Sequence, residues 1–573
     1  FTGPTIIGAN IPGEFARLEV DGSLTATRSV AVNAGGTLNG TGTIDATTTT
    51  IAAGATIAPG NSTNPTGTLT IGGNLVFNGG SFYGIDLTPT QHALTDVTGA
   101  TTINGGTVLL GVLPGLGTSY AASKVAILSS GGGVTGAFNP VVGYSGVVQL
   151  SSAPTLSYDP HDVYLSYGQS VVDLATPPGT GQNQQNVINT INTKILSGTA
   201  LPSGFQNLGT LSVPSYINAL TQLDGEVAVD GELAAFQIMD QFLNLMLDPF
   251  VDGRLGNGVG EVSGRATAFA PDETASLPPD VALAYAGVLK APPVAFEQRW
   301  TTWGASYGGG NWTNGNAATG SSNVNAQSYG FAAGMDYHYS RDTVFGFALG
   351  GGGINWGIAS GGTGRSDAFQ SGVYGITRSG PAYLTGALAF ANHWMTTNRA
   401  VLGDALTATF DAQSYGARLE GGYRYAMLPT LGVTPYAALQ AQDFHTPGFN
   451  ESDLNGGGLG LSYASMNATD VRSELGARFD NPEVISGMPL LLRARLAWAH
   501  DWASNPSLGA AFETLPATNF TVYGVPMPQN SALASAGAEL FITPRLTVLA
   551  KFDDAFAPGS QTYTGTGTLR YTW

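Results

Sequence analysis

Cysteine is absent from all 573 residues. That excludes a disulfide scaffold, a thiolate metal centre and a cysteine nucleophile. Charge is scarce: Asp, Glu, Lys and Arg make up 10% of the chain, against about 25% in an ordinary soluble domain. What charge there is leans acidic, with a net of −18. A basic surface for nucleic acid is therefore not expected. Six histidines leave little for metal chemistry, and no cofactor is expected. No apolar run approaches the roughly 18 residues of a membrane-crossing helix. The opening Phe1-Thr2-Gly3-Pro4 carries neither a basic n-region nor an apolar h-region. The expectation is a chain whose leader has been removed, or a fragment.

What is abundant is glycine, 81 residues, about twice average usage. Hydrophobic content is still 43%, so a packed fold is expected rather than a disordered chain. From about Arg17 to Gly168 a Gly-Gly-x-apolar unit recurs, as Gly35-Gly36-Thr37-Leu38, Gly72-Gly73-Asn74-Leu75 and Gly105-Gly106-Thr107-Val108. Glycine turns between short β-branched strands suit a stacked parallel β-helix, with apolar residues inward and Thr, Ser and Asn outward. A β-sandwich would satisfy the same pattern less well. Nothing polar and distinct caps the start, so the natural chain is expected to extend further upstream.

Pro177-Pro178-Gly179-Thr180-Gly181 marks a boundary. A short helix is expected over 182–196 and a long one over about 215–249. Leu220, Leu223, Val227, Ala234, Ile238, Phe242 and Leu245 recur in the latter at three- to four-residue spacing. Gly225 and Gly231 weaken its middle. Residues 251–295 are rich in Pro, Ala and Gly, with a second helical candidate at 281–290.

From Phe296 the period becomes two. Val471, Ser473, Leu475, Ala477 and Phe479 form one face; Arg472, Glu474, Gly476, Arg478 and Asp480 form the other. The runs at 414–425 and 492–502 repeat this, with Arg418, Glu420 and Arg424, then Arg493 and Arg495, on the polar face. Twelve such runs can be counted. Most are longer than the five or six residues usual in globular sheets, as a tilted spanning strand requires. Aromatics cluster near run ends: Trp300, Trp303, Tyr337, Tyr339, Trp356, Trp394, Trp498 and Trp502, the girdle of a membrane barrel. Connections after even runs are short, as at 340–342 and 428–430. Those after odd runs are mostly longer, at 308–323, 397–408, 446–468 and 503–529, while 481–489 is intermediate. An even strand count with short turns on one side and long loops on the other predicts a transmembrane β-barrel. The eight charged residues named would line its lumen, pairing with one another or recognising a threaded helix.

The expected fold is therefore all-β with a linker helix. A β-helical part spans 1–170, a linker 171–295 and a 12-stranded antiparallel transmembrane barrel 296–573. The four histidines near the runs suggest no catalysis. His500 and Asp501 are adjacent, but strand neighbours face opposite sides. No Gly-x-Ser-x-Gly elbow, P-loop or Gly-x-Gly-x-x-Gly fingerprint is present.

Several stretches resemble the β-domain of single-chain autotransporters (type V secretion): Trp300-Thr-Thr-Trp303-Gly-Ala-Ser-Tyr-Gly, Arg418-Leu-Glu-Gly-Gly-Tyr423 and Arg495-Leu-Ala-Trp-Ala-His-Asp-Trp502. Residues 35–140 resemble the passenger-associated transport repeat, and Leu220 to Gly253, including Glu226, Phe242 and Leu245, the family's linker. The resemblance implies a monomeric outer-membrane barrel that exports its own N-terminal passenger, embedded in outer-membrane lipid and served by periplasmic chaperones. It implies assembly by the insertion machinery, which reads a last-strand signal matched here by Thr566, Tyr571 and Trp573, with Thr568 where glycine is usual. It also implies a helix in the pore. Residues 215–249 are apolar for a wet lumen, which leaves 281–290 as a rival. The passenger's ligand is not implied. The alternatives are a diffusion porin with a periplasmic domain, or a passenger whose adhesive or enzymatic part lies upstream of Phe1.

Overall fold

The computed structural model describes residues 2–8, 13–247, 300–340, 342–428, 431–502 and 505–573. The rival helix at 281–290 lies outside them. Two compact units appear. One comprises Phe1–Leu223 with Gly456–Leu459 and Phe512–Phe520; the other comprises the rest.

The first unit begins as three parallel sheets, each built from strands a rung apart. In one sheet Ile7 registers with Val32, Val32 with Ile51, Ile51 with Phe77 and Phe77 with Ile103, all buried. In the second, Leu38 stacks on Ile57, Ile57 on Tyr83 and Tyr83 on Val108. These are the inward apolar columns of a β-helix. The turns need glycine: Gly35 has φ +77°, and a Cβ there would sit 2.3 Å from the Glu14 carbonyl oxygen.

The parallel pattern does not run to Gly168. Ser123–Ser130 pairs antiparallel with Asp162–Tyr167, and Val148–Leu150 with Ser170–Leu174. These alternating runs resemble solenoid strands in sequence, but they fold back as hairpins. Helices α1 (Gln182–Leu196), α2 (Ser203–Gln206) and α3 (Val213–Leu223) follow. Asn192 of α1 treats Leu174 as a strand neighbour would. Its Oδ1 accepts from the Leu174 N–H and its Nδ2 donates to the Leu174 carbonyl, both at 2.8 Å.

The expected helix over 215–249 is present in pieces. Helix α3 ends at Leu223; α4 (Glu226–Val229) and α5 (Gly231–Leu247) belong to the second unit. The break is at Gly225, with φ +76°, where a Cβ would meet the Tyr463 hydroxyl at 2.3 Å.

In the second unit the described residues form twelve long strands: β1 (Trp300–Thr313), β2 (Val324–His338), β3 (Thr343–Ile358), β4 (Thr363–Ser379), β5 (Ala382–Val401), β6 (Asp404–Tyr423), β7 (Leu431–Thr446), β8 (Met466–Ile485), β9 (Met488–Asp501), β10 (Asn530–Phe541), β11 (Leu546–Ala557) and β12 (Ser560–Thr572). Each pairs antiparallel with the next, and β1 pairs with β12 from Thr301↔Thr572 to Thr313↔Ser560, closing the barrel. Closure leaves no edge for lipid to meet. Two expected loops are instead hairpins. Residues 397–408 lie in β5 and β6, which turn at Leu402 (φ +50°) and Gly403 (φ +88°); 481–489 turns at Ser486 (φ +53°) and Gly487 (φ +79°). Two consecutive positive φ values make a type I′ turn, and its usual Asn-Gly signal is missing at both. The long connections, 314–323, 447–465 and 502–529, join strand ends at the rim opposite Trp300 and Thr572. We call the two ends the loop rim and the terminal rim.

Outward residues are large and apolar, such as Leu388, Leu419, Leu475 and Leu496. Exposed aromatics sit near both rims: Tyr339, Tyr423, Tyr571 and Trp573 near one, Trp312, Trp394, Trp498 and Trp502 near the other. Trp303 and Trp356 depart from the expected girdle. Both are buried and face the lumen, where the Trp303 indole donates to the Tyr374 hydroxyl (2.8 Å) and that of Trp356 to the Val227 carbonyl (3.0 Å).

Candidate functional site: a barrel lumen filled by a helix

Alternation decides which side chains enter the lumen, and α5 shows what they do there. The helix is two-faced. Ile238, Met239, Phe242, Leu243 and Met246 are apolar, whereas Gln237, Asp240, Gln241 and Asn244 form a polar stripe at i, i+3, i+4 and i+7. The barrel wall is two-faced to match. Glycines and alanines of β2 to β6 receive the apolar face. A Cβ on Gly350 would lie 3.1 Å from the Phe242 ring, one on Gly372 2.5 Å from the Met246 sulfur, and one on Gly416 2.8 Å from Met239. Ala332, Ala348, Ala387, Ala389 and Ala391 complete this cluster. An apolar helix suits this lumen because half of the wall is apolar.

The polar stripe meets the other half. Asp240 accepts from Gln440 and from Gln442 and pairs with Arg472 at 3.2 Å; Arg472 also holds Asp501 at 2.6 Å. Gln241 donates to the Ser328 hydroxyl at 2.7 Å and the Thr564 hydroxyl at 3.2 Å. Gln370 donates to the Ile238 carbonyl at 3.2 Å. Apart from Arg472, these partners were not singled out from sequence. The stripe at 237–244 was the available signal, hidden behind the stronger apolar periodicity.

The eight lumen charges expected from the alternation fall into networks. Arg418 forks onto Glu474 at 2.9 and 2.8 Å and reaches Glu420 at 3.0 Å. Arg478 also pairs with Glu420. Arg424 pairs with Asp480 at 2.6 Å and Arg493 with Glu539 at 2.8 Å; Arg495 lies 3.6 Å from Asp553 and 3.9 Å from Glu474. Of the eight, Arg472 pairs with the helix, through Asp240. The others have ion-pair partners in the wall. Fully buried charges need such partners.

Leu220 and Leu223 are buried in the first unit, so of the expected linker-helix residues only Glu226, Phe242 and Leu245 belong to the barrel unit. The Glu226 carboxylate accepts from the Ser322 N–H at 2.7 and 3.0 Å, and Asp230 accepts from the Val525 N–H at 3.1 Å. Both donors lie in loop-rim connections. The helix therefore starts at the loop rim and descends: Gly231 faces Trp356 near the loop end of β3, and Phe242 faces Gly350 at mid-strand. Its C-terminal turn points toward the terminal rim, where β1 begins. In β12 Tyr571 is exposed and Thr566 is buried, and Trp573, just past the strand's end, is exposed.

Among the histidines, His393 is buried between the Ser366 (3.2 Å) and Ser414 (2.8 Å) hydroxyls. His500 bonds Asn530 at 3.0 Å while Asp501 faces the lumen, so the adjacent pair is split between faces.

The profile of the autotransporter beta-domain family matches residues 303–553. The C-terminal region is an autotransporter β-domain. Autotransporter β-domains are outer-membrane barrels. They are not themselves catalytic. The chain is 24% identical over 182 residues to an extracellular serine protease of Serratia marcescens, an alignment covering 31% of this chain and 17% of that protein. Among solved structures it is similar to the translocator domain of the autotransporter NalP from Neisseria meningitidis (16% identity, TM-score 0.40), over 51% of this chain and 97% of that one. It is also similar to the β-domain of the Bordetella autotransporter BrkA (17% identity, TM-score 0.38), over 48% and 100%.

Proposed function

We propose that the barrel delivers the N-terminal part of its own chain to the bacterial cell surface and then holds α5 as a plug. The observation that carries this reading is the direction of α5. A chain entering the lumen at the loop rim and leaving toward the start of β1 has its preceding residues on the loop side. Long loops face outward in outer-membrane barrels, so the β-helical region belongs outside the cell. The lumen supports the same reading: a helix of roughly 10–12 Å fits a barrel of this strand number, and both of its faces are matched by the wall.

The insertion machinery and periplasmic chaperones are the partners of this reading, with Tyr571 and Trp573 exposed at the end of the last strand and Thr566 buried. The barrel works as a monomer in outer-membrane lipid. The ion-paired wall keeps the lumen polar and rigid while the chain passes.

The test is an epitope tag after Gly136, probed in intact cells. Antibody binding and digestion by external protease are expected without permeabilisation. Binding only after the outer membrane is opened would place the N-terminal part in the periplasm and favour a porin carrying a soluble domain.

A further inference from the structure

Helix α5 does not fill the lumen evenly. Its apolar face lies against β2 to β6, and among the described residues two cavities lie beside its polar stripe. The one nearer the loop rim measures about 150 Å³, room for roughly ten waters. Asp240, Asp470, Glu474, Asp501 and Asp554 line it against Arg472, a formal charge of −4. In its wall, Asp470 Oδ1 and Gln241 Oε1 are buried without a hydrogen-bond partner. Such acceptors ask for water or a cation.

The second cavity, about 60 Å³, lies nearer the terminal rim. Arg418, Arg478 and Arg493 line it against Glu420 and Asp480, a formal charge of +1. The two share a wall of Asn244, Arg495, Lys551 and Asp553, which adds another +1. Lys551 lies 2.8 Å and Arg495 3.6 Å from Asp553. The polar side of the lumen is thus acidic toward the loop rim and basic toward the terminal rim.

We propose that this path conducts small inorganic ions while the helix is seated, and that its charge polarity makes the conduction unequal in the two voltage directions. The acidic half gathers cations and the basic half anions. A field driving both toward the shared wall fills the junction with carriers; the reverse field empties it. The polarity of α5 agrees with this layout, because its negative C-terminal end points into the basic half. The inference rests on the seated helix and not on export, so a failure of surface labelling would leave it standing.

The test is single-channel recording of the full chain in planar bilayers. Near 0.1 M KCl the Debye length is about 10 Å and the fixed charges act across the path; near 1 M it is about 3 Å and they do not. Currents of opposite voltage should differ by about twofold or more at low salt and become nearly equal at high salt. Asp470→Lys, in a barrel whose folding is checked by heat-modifiable gel migration, should reduce the asymmetry. A linear response at low salt, no current at all, or an asymmetry unchanged by Asp470→Lys would overturn the proposal.

Discussion

Filling the groove that receives α5 should open the pore, but only in steps. Ile238, Met239, Phe242, Leu243 and Met246 are buried against the wall. At about 1.5–3 kcal/mol each, they hold the helix with about 8–15 kcal/mol, an upper figure that counts each as fully exposed when released. Replacing Gly372 by Leu puts atoms where the Met246 sulfur already sits, and overpacking of this kind costs about 1–3 kcal/mol. One substitution should therefore leave the helix seated and only raise its rate of opening. Gly350→Leu, Gly372→Leu and Gly416→Leu together remove about 3–9 kcal/mol if the sites act independently. That is enough to compete with the apolar contact. Single-channel conductance should stay near the parental level in each single variant and rise sharply in the triple variant. Protease should cut within 231–247 in the triple variant alone. A fully open pore in any single variant, or a triple variant as closed as the parent, would refute the packing account.

Three further outcomes follow from the same structure. Arg418→Ala leaves Glu474 and Glu420 short of a buried partner and should cost about 3–5 kcal/mol, read as a lower temperature for the heat-modifiable gel shift; Arg418→Lys should restore only part, because it cannot fork onto Glu474. Asn192→Leu should destabilise the N-terminal unit by about 1–3 kcal/mol in urea unfolding, since both backbone groups of Leu174 lose their partner. Burial raises the Asp173 carboxyl to about 6 from its ordinary 3.8, so its favourable contribution is complete below 3.8 and is lost as pH rises through about 6. The N-terminal unit should therefore melt lower at neutral pH than in mild acid by on the order of 1–3 kcal/mol of stability, and Asp173→Asn should flatten that difference.

Much of the barrel was legible because alternation is a local property. Leu419 beside Arg418 already states which neighbour meets lipid and which meets the lumen, and twelve such runs imply closure. What failed depended on chain geometry that residue type only weakly reports. The hairpins at Leu402-Gly403 and Ser486-Gly487 lack the Asn-Gly signature, so they read as loops. The fold-back of 119–174 uses the same short alternating strands as the solenoid. The lumen site was harder for another reason. A helix is judged apolar or polar as a whole, but α5 is fitted to a wall that changes character between β6 and β7. The glycines at 350, 372 and 416 look like weak strand positions until the helix that needs their missing side chains is in view.

The central claim is that the β-helical region and the terminal rim lie on opposite sides of the outer membrane. A chain without cysteine allows a direct test with two single variants and a membrane-impermeant maleimide. Phe15, 89% exposed in the β-helical unit, and Asp342, in the terminal-rim turn between β2 and β3, are each replaced by Cys. The account predicts that Phe15→Cys is labelled in intact cells and Asp342→Cys only after the outer membrane is permeabilised. Labelling of Asp342→Cys in intact cells, or protection of Phe15→Cys until permeabilisation, would contradict it.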